Sequence, residues 1–439
     1  VGFSIGAEYR RETASYVQDP LVTSGLTFYN SIPALDAPSF EVKEVFGELR
    51  VPLLKDIPLI RELTITGAGR ISDYKGKTGT VYAYNGQVEW SPVEGFRVRG
   101  SYGRSVRAPN LTELYSQQGQ NFAPGFADPC SADNIGTGTQ FRAANCAAAG
   151  IPTSYNYQYT SSLQILSGGN PNLREETSDS YTIGLVAQPT FLPGFSATVD
   201  FYDITVNNVI TAATAQNIAN ACYDLQNPNN PFCSLFQRAG TGGGPRGEQQ
   251  FRILEGSLLQ SQLNYAKLKV RGIDVEVGYR RDFPGFGVFN TKVNYTHVLR
   301  NDQYLDPTDP NFRDQILLEL GDPKDRFTWD VDFKTGPVTL NYEMRYIGKM
   351  VLNNYEDLFS VQGRPPQNAD YSDVRYYPEV FYHDVKVGID VARNFNFYLG
   401  VDNLLDRKPP YGLTGVGAGS GVYSNIGRFY YAGIKANFK

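Results

Sequence analysis

Residues 327–346 read Phe327-Thr-Trp-Asp-Val-Asp-Phe-Lys-Thr335-Gly336-Pro337-Val338-Thr-Leu-Asn-Tyr-Glu-Met-Arg-Tyr346. On both sides of Thr335-Gly336-Pro337 every second residue is apolar or aromatic, the period of a strand with one apolar face. Gly-Pro between two such runs marks a tight turn, so the stretch is a hairpin. Its other face carries Asp330, Asp332, Lys334, Glu343 and Arg345. That is too much charge for a packed second layer, because buried unpaired charge is costly. The apolar face is therefore expected to meet lipid and the charged face a wet interior.

The same alternation recurs outward from the hairpin. Val385, Val387, Ile389 and Val391 alternate with Asp384, Lys386, Gly388 and Asp390; Phe395, Phe397, Leu399 and Val401 follow, then Tyr430, Ala432, Ile434, Ala436 and Phe438. Strands are expected near 1–17, 39–52, 61–74, 80–91, 96–107, 173–189, 195–210, 258–282, 286–302, 322–335, 337–351, 378–392, 395–404 and 425–438. That makes about fourteen, an even number as a bacterial barrel requires. Two strands change phase: Leu268 and Val270 differ in parity from Ile273, Val275 and Val277, and Val199 and Phe201 from Ile204 and Val206. A bulge near Gly272, or a strand leaving the membrane, would produce such a shift.

Connectors alternate in length. Short ones lie at Leu53 to Pro58, Ser91 to Gly95, Leu192-Pro193-Gly194, Phe283-Pro284-Gly285, Thr335-Gly336-Pro337 and Ala392-Arg393-Asn394; long ones lie near 18–38, 107–172, 211–257, 303–321, 353–377 and 404–424. In an up-and-down meander this puts all short links on one side and all long ones on the other. That asymmetry marks a transmembrane antiparallel β-barrel with periplasmic turns and extracellular loops. A soluble all-β protein is the competing reading of the strands.

Composition agrees. The 439 residues include 30 Tyr and 26 Phe against 2 Trp and 2 Met, a balance that suits strands and interfacial girdles. Mean hydropathy is −0.35, and no apolar run approaches the roughly 18 residues of a membrane-spanning helix. Net charge is −5, with no basic stripe, which argues against nucleic acid as a partner. The chain opens at Val1 with neither an initiator Met nor a signal peptide. It reads as the later part of a longer exported protein, a processed N-terminus being the alternative.

Cys130 and Cys146 share one long loop and Cys222 and Cys233 another. The spacings fit no common zinc site, so no metal is expected. Two local disulfides suit an oxidising exterior; free thiols are the alternative. The two histidines, His297 and His383, stand in no hydrolase motif, and no catalytic residue or cofactor is expected. Tyr115, Gln117, Gln118, Phe122, Phe126, Tyr155, Tyr157, Tyr159, Tyr223 and Tyr371 make the long loops rich in aromatics and amides. Such groups hold a sugar, peptide or chelate, and serve equally to pack the loops together. Arg97 and Arg99 fall on the polar face of their strand, where they would touch an interior domain or a passing anion, or simply belong to a mixed-charge wall.

Four ordered stretches carry a resemblance: Arg104-Ser-Val-Arg107-Ala108-Pro109-Asn-Leu-Thr-Glu113-Leu114-Tyr115, Gly169-Asn170-Pro171-Asn172-Leu173-Arg-Glu-Glu176-Thr-Ser178, Asp402-Asn403-Leu404-Leu405-Asp406 and Gly427-Arg428-Phe429-Tyr430. Together the chain resembles the C-terminal barrel of TonB-dependent outer-membrane receptors, over essentially its whole length. Glu175 stands where many relatives carry Pro. The ending, with Gly433, Ala436 and Phe438, resembles the assembly signal of such barrels, extended by Lys439. The resemblance implies that residues 1–439 are the later part of a 22-stranded barrel, whose plug and first eight strands lie upstream. It implies an active importer in the outer membrane of a Gram-negative bacterium, embedded in lipid. Its loops would bind a scarce solute (sugar, siderophore or peptide), and the plug would be pulled by the TonB energy-transducing complex. A surface lipoprotein is a further partner compatible with it. The alternative is a passive channel without a plug.

Overall fold

The computed structural model describes residues 1–27, 34–35, 37–392, 394–410 and 421–436. Fourteen long strands run through them: β1 Gly2–Thr13, β2 Ser39–Ile57, β3 Ile60–Tyr74, β4 Gly79–Ser91, β5 Phe96–Arg107, β6 Glu176–Ala187 and β7 Phe195–Ala212. They continue as β8 Leu259–Phe283, β9 Gly287–Tyr304, β10 Asp325–Thr335, β11 Val338–Ile347, β12 Val380–Ala392, β13 Phe395–Asp402 and β14 Phe429–Ala436. Each pairs antiparallel with the next in sequence. The three short strands Gly119–Ala123, Leu163–Gly168 and Asp314–Gln315 complete a sheet of 17. The sheet is open, and β1 and β14 are its edges. No described helix is long and apolar enough to cross a membrane.

The two faces sort as the hairpin suggests. Leu185, Val199, Val275, Val293, Trp329, Leu340, Val387 and Leu399 lie on the outer face, related by the cross-strand register. Aromatic rows bound this apolar field. Tyr295, Phe327, Tyr346 and Phe381 stand side by side on four strands. Phe327 and Tyr346 stack at 5.1 Å, and Tyr346 meets Phe381 at 4.9 Å. Tyr84, Tyr102 and Tyr181 continue the row at 6.2 and 4.8 Å. Phe333 sits six positions beyond Phe327, roughly 20 Å at about 3.4 Å per residue, close to the ~25 Å apolar band of such barrels. Both histidines join the girdle: His297 Nδ1 lies 2.6 Å from Asp325, and His383 Nδ1 lies 2.8 Å from the Tyr342 hydroxyl.

The inner face is wet and charge-paired. Arg99 binds Asp200 at 2.6 Å, Arg70 binds Glu44 at 3.0 Å and Lys292 binds Glu276 at 2.9 Å. Gly184, between Arg99 and Asp200 in register, has no side chain to obstruct their pair. Tight turns close the other end of the hairpins. Gly194 has φ 86° and faces the Arg280 carbonyl, so that corner admits no side chain. The connectors alternate in length as expected except at 75–78, where a four-residue turn stands on the long-loop side.

The phase changes have a different origin from a bulge in their own strands. β7 keeps an unbroken register with β6 through 197–207, and β8 pairs regularly with β7 across 268–279. Ile204, Val206, Leu268 and Val270 turn inward because the strands rise beyond the lipid. There the outer face meets water and headgroups, and it carries Lys267, Lys269 and the Asp203–Arg271 ion pair. The register shift at Gly272 lies in the pairing with β9, whose Leu299 is the extra residue.

Candidate functional site

The motif of residues 104–115 ends β5 and starts the longest loop. Asn110 caps the helix Leu111–Tyr115: its Oδ1 accepts from Glu113 N at 2.8 Å, and Glu113 Oε2 accepts from Asn110 N at 2.8 Å. Leu114 on that helix packs against Leu173 and Ile210. Arg107 donates to both oxygens of Glu176 at 2.7 Å and to both of Glu113 at 3.1 Å. Glu176 Oε1 also accepts from Ile210 N at 2.8 Å. Gly169 N donates to Ser116 O and Asn170 N to Glu113 O, each at 2.8 Å. A Cβ on Gly169 would sit 2.7 Å from Ser116 N, so only glycine fits. The two sequence motifs are thus one latch, which ties the departing and returning ends of the 108–175 loop to the inner wall.

Above the latch the 108–175 and 213–258 loops fold as one unit. Its core holds Leu163, Ile165, Ile218, Ala219, Ile253 and Leu258, all at most 1% exposed. Cys130 bonds Cys146 and Cys222 bonds Cys233. Two buried ion pairs join the loops: Arg142 with Asp224, and Arg238 with Asp128 at 2.7 Å. Burial works against the Arg238 charge, but the bonds and charge of Asp128, with Tyr223, outweigh it and leave its pKa raised. Burial, then the Asp128 carboxylate, pushes the Tyr155 phenol well up, so it stays protonated and donates to Asp128 Oδ2 at 2.9 Å.

This unit contains part of the expected ligand surface. Phe126, Tyr155 and Tyr223 are buried in it, and Tyr157 and Tyr159 are partly buried, packed edge to face at 4.9 Å beneath Arg252. Their rings join the two loops. Tyr115, Gln117, Gln118, Phe122 and Tyr371 are exposed, with Tyr371 on the separate 348–379 loop. Arg99 is committed to Asp200, whereas Arg97 makes no ion pair among the described residues. Gly433 on β14 lies beneath the Tyr398 ring and Ala436 ends that strand; Phe438 lies outside the described residues.

A pocket of about 490 Å³ opens between the latch and the inner wall. Asn110, Glu113, Gln117 and Gln120 line it from the loop, and Gln260 and Gln262 from β8. Gln262 stands opposite Ala212 on the inward face. Gln260 and Gln262 are absent from the sequence-based set, although their i, i+2 spacing in Leu259-Gln-Ser-Gln-Leu263 is a readable sign of one polar face. Farther along, Asp314, Glu319 and Glu356 bring carboxylate oxygens within 4.8 Å of one another where two other loops meet. Burial is the largest cause of the raised pKa of each. No described group of histidine, cysteine or carboxylate ligands outside these three could hold a metal ion.

The family model "TonB dependent receptor-like, beta-barrel" matches residues 1–404. The chain belongs to the TonB-dependent receptors. Membership places it in the outer membrane of a Gram-negative bacterium and makes the inner face a barrel lumen. Solved structures agree in fold. One is the siderophore receptor PirA from Acinetobacter baumannii, 14% identical with a TM-score of 0.62, over 99% of this chain and 52% of that one. Another is the ferric enterobactin receptor PfeA from Pseudomonas aeruginosa, solved as a mutant with enterobactin. It is 16% identical with a TM-score of 0.62, over 99% of this chain and 51% of that one. This receptor barrel thus spans about half the length of these solved receptors.

Proposed function

We propose that this chain is the later part of the barrel of an active outer-membrane importer. A scarce solute binds at the extracellular end of the lumen, between the loop unit and the wall. A plug and eight further strands lie upstream and complete a 22-stranded barrel, the plugged-lumen class. The TonB energy-transducing complex pulls on the plug and frees a path to the periplasm. The observation that carries this reading is the placement of the pocket. It lies on the lumen face, directly on the Arg107–Glu113–Glu176 latch, beneath the disulfide-bonded loop unit. A solute held there sits over the lumen instead of on an outer surface. The match to about half the length of the solved siderophore and ferric enterobactin receptors supports the upstream part.

Uptake of the bound solute by intact cells tests the reading. Accumulation that stops when the proton-motive force is collapsed supports active import. Accumulation that persists would make the protein a passive channel.

A further inference from the structure

The lining of the latch pocket points to the chemistry of its occupant, and this inference rests on the proposed import function. Among the described residues no Lys, Arg or His lines the pocket. Its single charge, Glu113, is already held by Arg107 and by the helix cap. Asn110 is committed to the same cap. Beside the hydroxyls of Thr112, Ser116 and Ser167, and Asn121, whose Oδ1 accepts from Phe122 N, the lining holds four uncommitted primary amides: Gln117, Gln120, Gln260 and Gln262. None of these four side chains hydrogen-bonds another described protein group, and they come from two separate segments, the loop at 117–120 and the strand β8, to face one concave space. An isolated surface glutamine is merely solvated. Four uncommitted amides converging on about 490 Å³ form a recognition surface.

An amide offers two N–H donors and a carbonyl acceptor. Its natural complement is a neutral group that both donates and accepts, such as the vicinal hydroxyls of a sugar ring. A multiply charged anionic chelate would instead need guanidinium or ammonium partners to offset its desolvation. The net charge of −5 gives such an anion no long-range attraction either. Tyr115 and Phe122, both exposed, adjoin the lining residues along the chain and supply rings on which a sugar face can lie. We infer that the pocket binds a neutral polyhydroxylated ligand of oligosaccharide type, read by Gln117, Gln120, Gln260 and Gln262.

The test uses the full-length receptor in detergent. Binding of a panel of neutral oligosaccharides (α- and β-linked glucans, xylans and chitin fragments) is compared with binding of a ferric tris-catecholate. Gln260→Leu with Gln262→Leu, and separately Gln120→Leu, remove amides at nearly constant volume. A tyrosine-fluorescence or melting profile equal to the parent shows that each variant is folded. The expected result is a neutral oligosaccharide bound at micromolar to low millimolar concentration, weakened roughly tenfold or more by the double variant. No oligosaccharide bound, binding of the ferric chelate alone, or saccharide binding indifferent to the amides would each overturn the inference. The two claims fail separately. Proton-motive-force-dependent uptake of a ferric chelate keeps the importer and rejects this ligand class. Saccharide binding with passive uptake keeps the ligand class and rejects active import.

Discussion

Replacing Arg238 by methionine should unlock the loop unit without disturbing the barrel wall. Arg238 donates two bonds to Asp128, one to the Tyr223 hydroxyl and one to the Phe251 carbonyl, each at 2.7 Å. Asp128 is 0% exposed. Without the guanidinium it keeps only the Tyr155 hydroxyl at 2.9 Å and Cys130 N at 3.0 Å. A buried carboxylate that loses its partner costs about 3–5 kcal/mol, which multiplies the opened population of the unit by about a hundred or more. Amide hydrogen exchange on the receptor in membranes reads that population, because exchange of protected amides tracks local opening. Protection should fall across 119–168 and 213–258 and hold in β6 through β14. The double variant Asp128→Leu with Arg238→Met removes both charges, so it should be milder than Arg238→Met alone. Unchanged protection in Arg238→Met, or a double variant as damaged as the summed singles, would refute the buried pair as the tie between loops.

Three further outcomes follow from the same geometry. Cys130→Ser with Cys146→Ser should destabilise the loop unit by about 3 kcal/mol on the chain-entropy account. Protease cleavage within 124–162 on whole cells should rise, while the heat resistance of the sheet stays the same. Leu185→Lys, on the lipid face, should cost about 2–4 kcal/mol near the bilayer centre, seen as a lower urea midpoint for folding into vesicles. Thr198→Lys, facing the lumen near Glu276, should cost little by comparison. The joint at Asp314, Glu319 and Glu356 should loosen as pH rises. Burial raises these carboxyls above their unfolded pKa values, so their contribution is complete in acid and is lost as pH passes the raised values. Protection factors at 312–320 and 354–368, which normalise for the base-catalysed rise in intrinsic exchange, should fall from pH 5 to 8, and less so in Glu356→Gln; protection that rises with pH would contradict this.

The wall was legible because lipid and lumen each impose one chemistry on one face, so strands such as Phe327 to Phe333 carry their environment in their period. That rule ends where the membrane ends. Leu268 and Val270 look out of phase only if lipid is assumed at their height. The loops hid more. Phe126, Tyr155 and Tyr223 have no periodicity to show whether a ring faces a solute or another loop. Their burial depends on pairs such as Asp128 and Arg238, 110 residues apart, which local spacing cannot reveal. The cysteine pairs were readable because both partners lie in one loop. The latch could be seen as two motifs but not as one device, since Arg107 and Glu176 meet only after β5 and β6 pair. The pocket amides were half visible: Gln117 stood out among aromatics, whereas Gln260 and Gln262 passed for ordinary polar positions of a strand.

The central claim is that this chain walls a plugged, gated importer. A cryo-electron microscopy map of the native protein in lipid nanodiscs tests it most directly. The account predicts β1 and β14 each paired to additional strands, a 22-stranded barrel and a folded plug beneath the latch pocket. A map in which β1 pairs with β14 around an open, water-filled lumen would contradict it.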